Sequence, residues 1–224
     1  MDGSRIRRPV FVIGTGRCGS TVVFEALSLH EDLAWFSNYS DRFPAADIAA
    51  AAARIYDTPL LRRLPRGEKP QHRQGTSRLN RLLPKPSEGY RKWAHLCGAK
   101  FRKDFLAGVK ATASERDRVR RAVAATGFWQ GKRRFSAKIT GPTRIEFLHS
   151  IFPDARFVHV VRDPFAVIGS WLDVDFWKNR GGYQRPMWEN GLPSGWAREW
   201  TRYGRTPAAL AALQYRCIFD ICRR

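Results

Sequence analysis

Apolar and polar positions along this chain fall into two kinds of segment: short apolar runs, and longer stretches with helical spacing. The run Val10-Phe-Val-Ile13 is uniformly apolar, as in a buried strand. It gives way to Gly14, Gly16 and Gly19, and a helical pattern follows from about Ser20 to His30. Asp32-Leu-Ala-Trp-Phe36 reads as the next parallel strand, with Asn38 to Pro44 as a loop at its carboxyl end. Ala45 to Tyr56 is alanine-rich and helical, Ser87 to Leu96 is helical, and Ser114 to Thr126 reads as a helix with Ser114 as N-cap and Gly127 as stop. Phe135–Ile139 predicts a strand, Thr143–Ile151 a helix, and Arg156–Val161 a strongly apolar strand. Arg162-Asp163-Pro164 then opens a helix to about Leu172, with Asp163 as N-cap and Pro164 at the first helical position. Asp173 to Ser194 reads as a loop rich in Trp, Gly and Arg, and Trp196–Tyr203 and Pro207–Cys222 as helices. Strands alternating with helices predict an α/β fold: a mostly parallel sheet flanked by helices in three layers.

One stretch breaks the pattern. Asp57 to Pro86 holds Pro59, Pro65, Pro70 and Pro84, many arginines and little periodicity. It reads as part of an irregular basic insertion over about 57–110, a lid or substrate-binding segment within a single domain spanning 1–224. A hydrophobic content of 43% fits a globular chain. No apolar stretch approaches the roughly 20 residues of a membrane span. The N-terminus Met-Asp-Gly-Ser-Arg-Ile-Arg-Arg carries no apolar signal core, so the expected location is cytoplasmic. Cys18, Cys97, Cys217 and Cys222 show no metal-like spacing, and no metal is expected. The net charge of +20 implies attraction to polyanions, although no nucleic-acid reader motif accompanies it.

The candidate chemistry begins in the first turn. A strand, a glycine-rich turn and a helix start place free N–H groups around a small anion. Gly14 and Gly19 have the spacing of the nucleotide P-loop G-x-x-x-x-G-K-[ST], and Thr21 closes it. Ser20 stands where the lysine belongs, and the only cation in the turn is Arg17. The loop suits an anion, and a P-loop kinase or NTPase is the weaker reading. Phe157-Val-His-Val-Val-Arg162 repeats the logic: a strand delivers Arg162 at its carboxyl edge, a helix starts, and Ser170 lies about two turns along it. A guanidinium and a hydroxyl so placed form a compact phosphate clamp.

With these two turns the sequence resembles sulfotransferases that use 3′-phosphoadenosine 5′-phosphosulfate (PAPS). Arg17-Cys-Gly-Ser-Thr21 matches their first motif, and Arg162-Asp-Pro with Ser170 matches their second. Lys138 and Phe152-Pro-Asp-Ala-Arg-Phe157 match the bacterial and tyrosylprotein-type branch, and His30 falls where that branch often carries His-Pro. The likeness covers about residues 9–44 and 134–172 well and the middle loosely. It implies a P-loop NTPase-like sulfotransferase fold. It also implies that Gly16, Arg17, Cys18, Gly19, Ser20 and Thr21 bind the 5′-phosphosulfate, and that Arg162 and Ser170 bind the 3′-phosphate. By the same resemblance Arg17 and Lys138 act on the transferring group. The acceptor would be a small-molecule, carbohydrate or lipid hydroxyl (or an amine), and the product 3′-phosphoadenosine 5′-phosphate (PAP).

Two departures stand against the family pattern. The tyrosylprotein branch has a glutamate base where this chain has Asn38, and asparagine is no base. The candidates in its place are Asp41, Glu88 and His72, with Glu88 and Asp41 preferred as a pair. Glu88 also reads as an ordinary acid at a helix N-terminus, and His72 as a solvated loop residue. The family also continues with a further strand and a late basic glycine-containing loop, whereas this chain ends in a helical Ile221-Cys-Arg-Arg224, as in a truncated C-terminus. An inactive sulfotransferase-like module that binds nucleotide or polyanion is therefore the alternative from another class.

Overall fold

The computed structural model describes residues 6–58, 60, 82–179, 181–188 and 192–223. The candidate base His72 and most of the proline-rich stretch lie outside the described residues.

Four described strands form one parallel sheet: β1 (Val10–Gly14), β2 (Leu33–Ala34), β3 (Arg134–Thr140) and β4 (Arg156–His159), in the order β2-β3-β1-β4. The central strand β1 is buried along its whole length, which explains its unbroken apolar run. Its side chains alternate between two layers. Phe11 and Ile13 join Phe135, Ile139, Phe147, Leu148 and Ile151, while Val12 joins Phe24, Trp35, Ala53 and Tyr56. A third cluster gathers Cys18, Val167, Trp171, Trp177, Tyr215 and Ile218. The helices supplying these layers include α1 (Ser20–Ser28), α2 (Asn38–Arg42), α3 (Tyr90–Cys97), α4 (Lys100–Lys103), α5 (Ala113–Gln130), α6 (Ile145–Ile151), α7 (Pro164–Asp173), α8 (Asp175–Lys178), α9 (Trp196–Arg202) and α10 (Pro207–Arg223). No described helix is long and apolar enough to cross a membrane.

Several elements differ from the sequence expectation. The second strand shrinks to Leu33–Ala34 and pairs with β3, so a full strand separates it from the glycine loop. The segment after it is not a loop. Ser37 accepts from the Ser40 N–H at 3.1 Å and starts α2. The alanine-rich segment is a 3₁₀ helix over Asp47–Asp57. The expected loop after Leu172 contains the short helix α8. Strand β4 is an edge strand that ends at His159, with exposed and half-buried residues alternating.

Helix α5 starts two residues earlier than expected. Its N-cap is Thr112: the Thr112 N–H donates to Glu115 Oε2 at 2.9 Å and the Glu115 N–H donates to Thr112 Oγ1 at 3.2 Å, a reciprocal capping box. Ser114 instead accepts from Arg118 at 2.6 Å. The helix runs through Gly127 and stops at Gly131. Glu115 also pairs with Lys100 at 2.7 Å, so the cap ties α5 to α4. Removal of the cap hydroxyl in Thr112→Ala is expected to lower stability by about 1 kcal/mol, read from the urea midpoint at constant slope.

Candidate active site

The carboxyl ends of β1, β3 and β4 lie side by side, since Ile13 pairs with both Ile139 and His159. The turn after β1 folds tightly against β4. A Cβ on Gly14 would sit 2.8 Å from the Val160 carbonyl oxygen and 2.9 Å from Cys18 Sγ, so no larger residue fits. Arg17 holds a left-handed backbone at φ 56°, a conformation that costs a non-glycine residue about 1 kcal/mol or more. Helix α1 begins after Gly19 without a side-chain cap, which leaves first-turn N–H groups to a ligand.

The Arg17 side chain crosses to α7, where its Nε donates to Ser170 Oγ at 2.9 Å. Arg162 Nη1 donates to the Arg17 carbonyl oxygen at 3.2 Å. The two sequence motifs are thus one connected unit. They are not equivalent. Asp163 accepts from the Ala166 N–H at 2.8 Å and occupies the N-terminus of α7. An anion at the second turn therefore depends on the Arg162 guanidinium and the Ser170 hydroxyl rather than on helix N–H groups.

The cation missing from the loop comes from the neighbouring strand. Lys138 of β3 is buried, and its Nζ donates to Thr21 Oγ1 at 2.8 Å while pairing with Glu88 Oε1 at 2.7 Å. Thr140 Oγ1 lies 3.4 Å from the same carboxylate oxygen. Tyr90 donates its hydroxyl to the Thr140 carbonyl oxygen at 2.9 Å, and burial, reinforced by the Glu88 charge, pushes its pKa well above the usual tyrosine value, so the phenol stays protonated. These groups line one cleft of about 600 Å³ with Gly16, Arg17, Gly19, Ser20, Arg102, Arg144, Arg162, Trp171 and Trp188.

The family model described as Sulfotransferase family matches residues 9–218. The chain belongs to the sulfotransferase family. Among solved structures, the sulfotransferase STF9 from Mycobacterium avium is similar in fold, with 19% identity, a TM-score of 0.50 and coverage of 96% of this chain. The chain spans about half of that structure's length, 55%. No curated protein matches the sequence.

Within the cleft the structure sorts the sequence candidates. Gly16, Arg17, Gly19, Ser20, Thr21, Glu88, Lys138 and Arg162 line it, and Ser170 touches it through Arg17. The Cys18 side chain turns away into the cluster with Trp171 and Tyr215, so only its backbone faces the turn. Asp41 is not brought to the cleft. Its Oδ1 accepts from the N–H groups of Arg91 and Lys92 at 2.7 and 3.2 Å, which caps α3 from outside. Glu88 precedes α3, whose N-cap is Gly89, and points at β3 instead of acting as a first-turn acid.

Sequence reasoning missed Tyr90, Thr140, Gly141, Arg102 and Arg144. Arg144 is 1% exposed and donates to the carbonyl oxygens of Phe101, Pro142 and Arg102. Burial disfavours its charge, and Tyr90, Glu88 and Asp104 oppose that effect. A Cβ on Gly141, at φ 84°, would meet Trp188 at 2.8 Å, so this glycine lets the indole close over the strand end. Trp188 stands edge-on to Trp171 at 5.9 Å, and Trp171 stacks on the buried Trp177 at 5.5 Å.

The Lys138–Glu88 pair is mostly shielded, with side chains 6% and 25% exposed. Glu88→Ala would strand the ammonium and is expected to cost about 3 kcal/mol in urea unfolding. In a Lys138→Met background the same change should cost far less, and equal costs in both backgrounds would refute the coupling.

Proposed function

We propose that this protein is a PAPS-dependent sulfotransferase acting on a hydroxyl or amine acceptor. The observation that carries the reading is the 2.9 Å hydrogen bond from Arg17 Nε to Ser170 Oγ, which joins two separate anion turns into one surface. A nucleotide with a phosphosulfate at one end and a second phosphate at the other matches such a surface. A triphosphate needs only the first turn and its lysine, and Ser20 stands at that lysine's position.

In this reading the N–H groups around Gly19, with the Ser20 and Thr21 hydroxyls, cradle the 5′-phosphosulfate. Arg162 and Ser170 hold the 3′-phosphate. Sulfuryl transfer is an in-line displacement like phosphoryl transfer, so positioning and charge stabilisation supply most of the catalysis. Arg17 stabilises the leaving oxygen, and Lys138 neutralises the group in flight. Glu88 accepts the acceptor's proton as the acceptor oxygen bonds to sulfur and the bond from sulfur to the 5′-phosphate oxygen breaks. PAP leaves. Of the candidate bases, Glu88 alone is both described and in the cleft.

Saturating PAP is expected to raise Tm by about 5 °C or more, ATP by much less, and Arg17→Ala or Arg162→Ala should abolish the difference. Equal shifts with PAP and ATP would overturn the reading. Glu88→Gln, which frees Lys138 for the loop anion, should keep or increase the PAP shift and lose about 100-fold or more in PAPS consumption on a hydroxyl-substrate panel. PAP preference without turnover in the wild type would favour a nucleotide-binding module instead.

A further inference from the structure

We infer that the acceptor carries a negatively charged group, of the carboxylate kind, and that Arg102 recognises it. The assignment rests on the sulfotransferase reading above.

The sheet order divides the cleft. Arg17 and Arg162 follow β1 and β4, at the edge-strand end. On the other side of β1 lies β3, with Lys138, Thr140 and, against them, Glu88 and Tyr90. Beyond these comes Arg144, whose charge is felt by Tyr90, and whose guanidinium reaches the α4 backbone. The acceptor must present its nucleophile to the proposed base Glu88, so it occupies this far end.

The cations divide the same way. The donor anions engage Arg17, Arg162 and Lys138. Arg144 is 1% exposed and its guanidinium is held by three carbonyl oxygens, so it is tied to the backbone rather than extended into the cleft. Lys100 is tied to Glu115 at 2.7 Å, and the Asp104 charge acts on Arg144. Among the described residues, Arg102 is the remaining cation of the cleft lining. It is exposed, and no carboxylate among the described residues pairs with it. Its backbone is nevertheless fixed: Arg144 Nη2 donates to the Arg102 carbonyl oxygen at 3.3 Å, and Arg144 Nε to the carbonyl of Phe101. An unpaired guanidinium on an anchored backbone at the acceptor end is a preorganised anion receptor. An uncharged acceptor would gain little from it.

The test uses three phenols of one shape with PAPS: 4-hydroxyphenylacetate, 4-hydroxyphenylacetamide and tyramine. Wild type is expected to favour the carboxylate over the amide by about tenfold or more in kcat/KM, through KM, since a hydrogen bond to a charged group is worth that much. Arg102→Gln should erase the preference and Arg102→Glu should turn it toward tyramine. Both variants should keep the wild-type Tm response to PAP, which excludes misfolding and damage to the donor site. The inference is overturned if wild type uses the three equally, prefers tyramine, uses none of them, or if Arg102→Gln retains the carboxylate preference. A wild type that fails to respond to PAP would instead remove the donor reading, and this assignment with it.

Discussion

The cleft depends on the register in which β1 lies between β3 and β4. Lys138 pairs opposite Val12, on the face that packs against Phe24 of α1, and so its ammonium reaches Thr21. Side chains alternate along a strand, so a slip of one residue would present Ala137 or Ile139 there. It would drive the lysine into the layer of Phe11, Ile13 and Phe147, where a charge has no partner. The same register brings Gly14, Thr140 and Val160 to one sheet edge, with the Gly141 N–H donating to the Gly14 carbonyl oxygen at 3.0 Å and the Val160 N–H to that of Ile13, also at 3.0 Å. Hydrophobic burial on both faces of β1 therefore fixes where the charges stand.

Those charges are held by different means. Lys138 is buried beside a carboxylate, and breaking such a pair leaves an uncompensated ion. Arg144 is buried with carbonyl oxygens as its hydrogen-bond acceptors, two of them on α4, where the helix's negative end also favours a cation. Arg17 and Arg162 stay exposed and are steered by one hydrogen bond each. Of these four, the rigid cations lie at the β3 side and the adjustable ones at the β4 side. In the proposed reaction that division gives one end to bond-making and the other to gripping the nucleotide.

Much of this was legible in the sequence because it lies in local patterns. The apolar run before Gly14, the spacing of Arg162 and Ser170, and the Asp163-Pro164 helix start each depend on neighbours within ten residues. What stayed hidden depends on residues far apart in the chain. Glu88 looks like any acid before a helix, and only its 2.7 Å approach to Lys138, fifty positions away, sets it apart. Asp41 looked equally suited, yet it caps α3, a role with no sequence signature at that separation. Arg144 is one arginine among many in a chain of charge +20, and nothing in the sequence marks it as buried. The cap of α5 was misread because Thr112 and Ser114 are both good capping residues, and the reciprocal bond with Glu115 decides between them.

Moving the lysine from the loop to the next strand changes what it can do. In a P-loop the cation belongs to the same turn as the N–H groups and serves the bound anion alone. Here the Lys138 ammonium stands between Thr21 at the mouth of α1 and Glu88, 2.8 and 2.7 Å from each. An anion seated on α1 competes with Glu88 for the same charge. Whatever draws Lys138 toward the loop loosens its hold on the carboxylate, and by linkage anything that engages Glu88 alters the affinity of the loop for its anion. Anion site and carboxylate are therefore one coupled unit, and the coupling comes from a single residue on a strand that neither site belongs to.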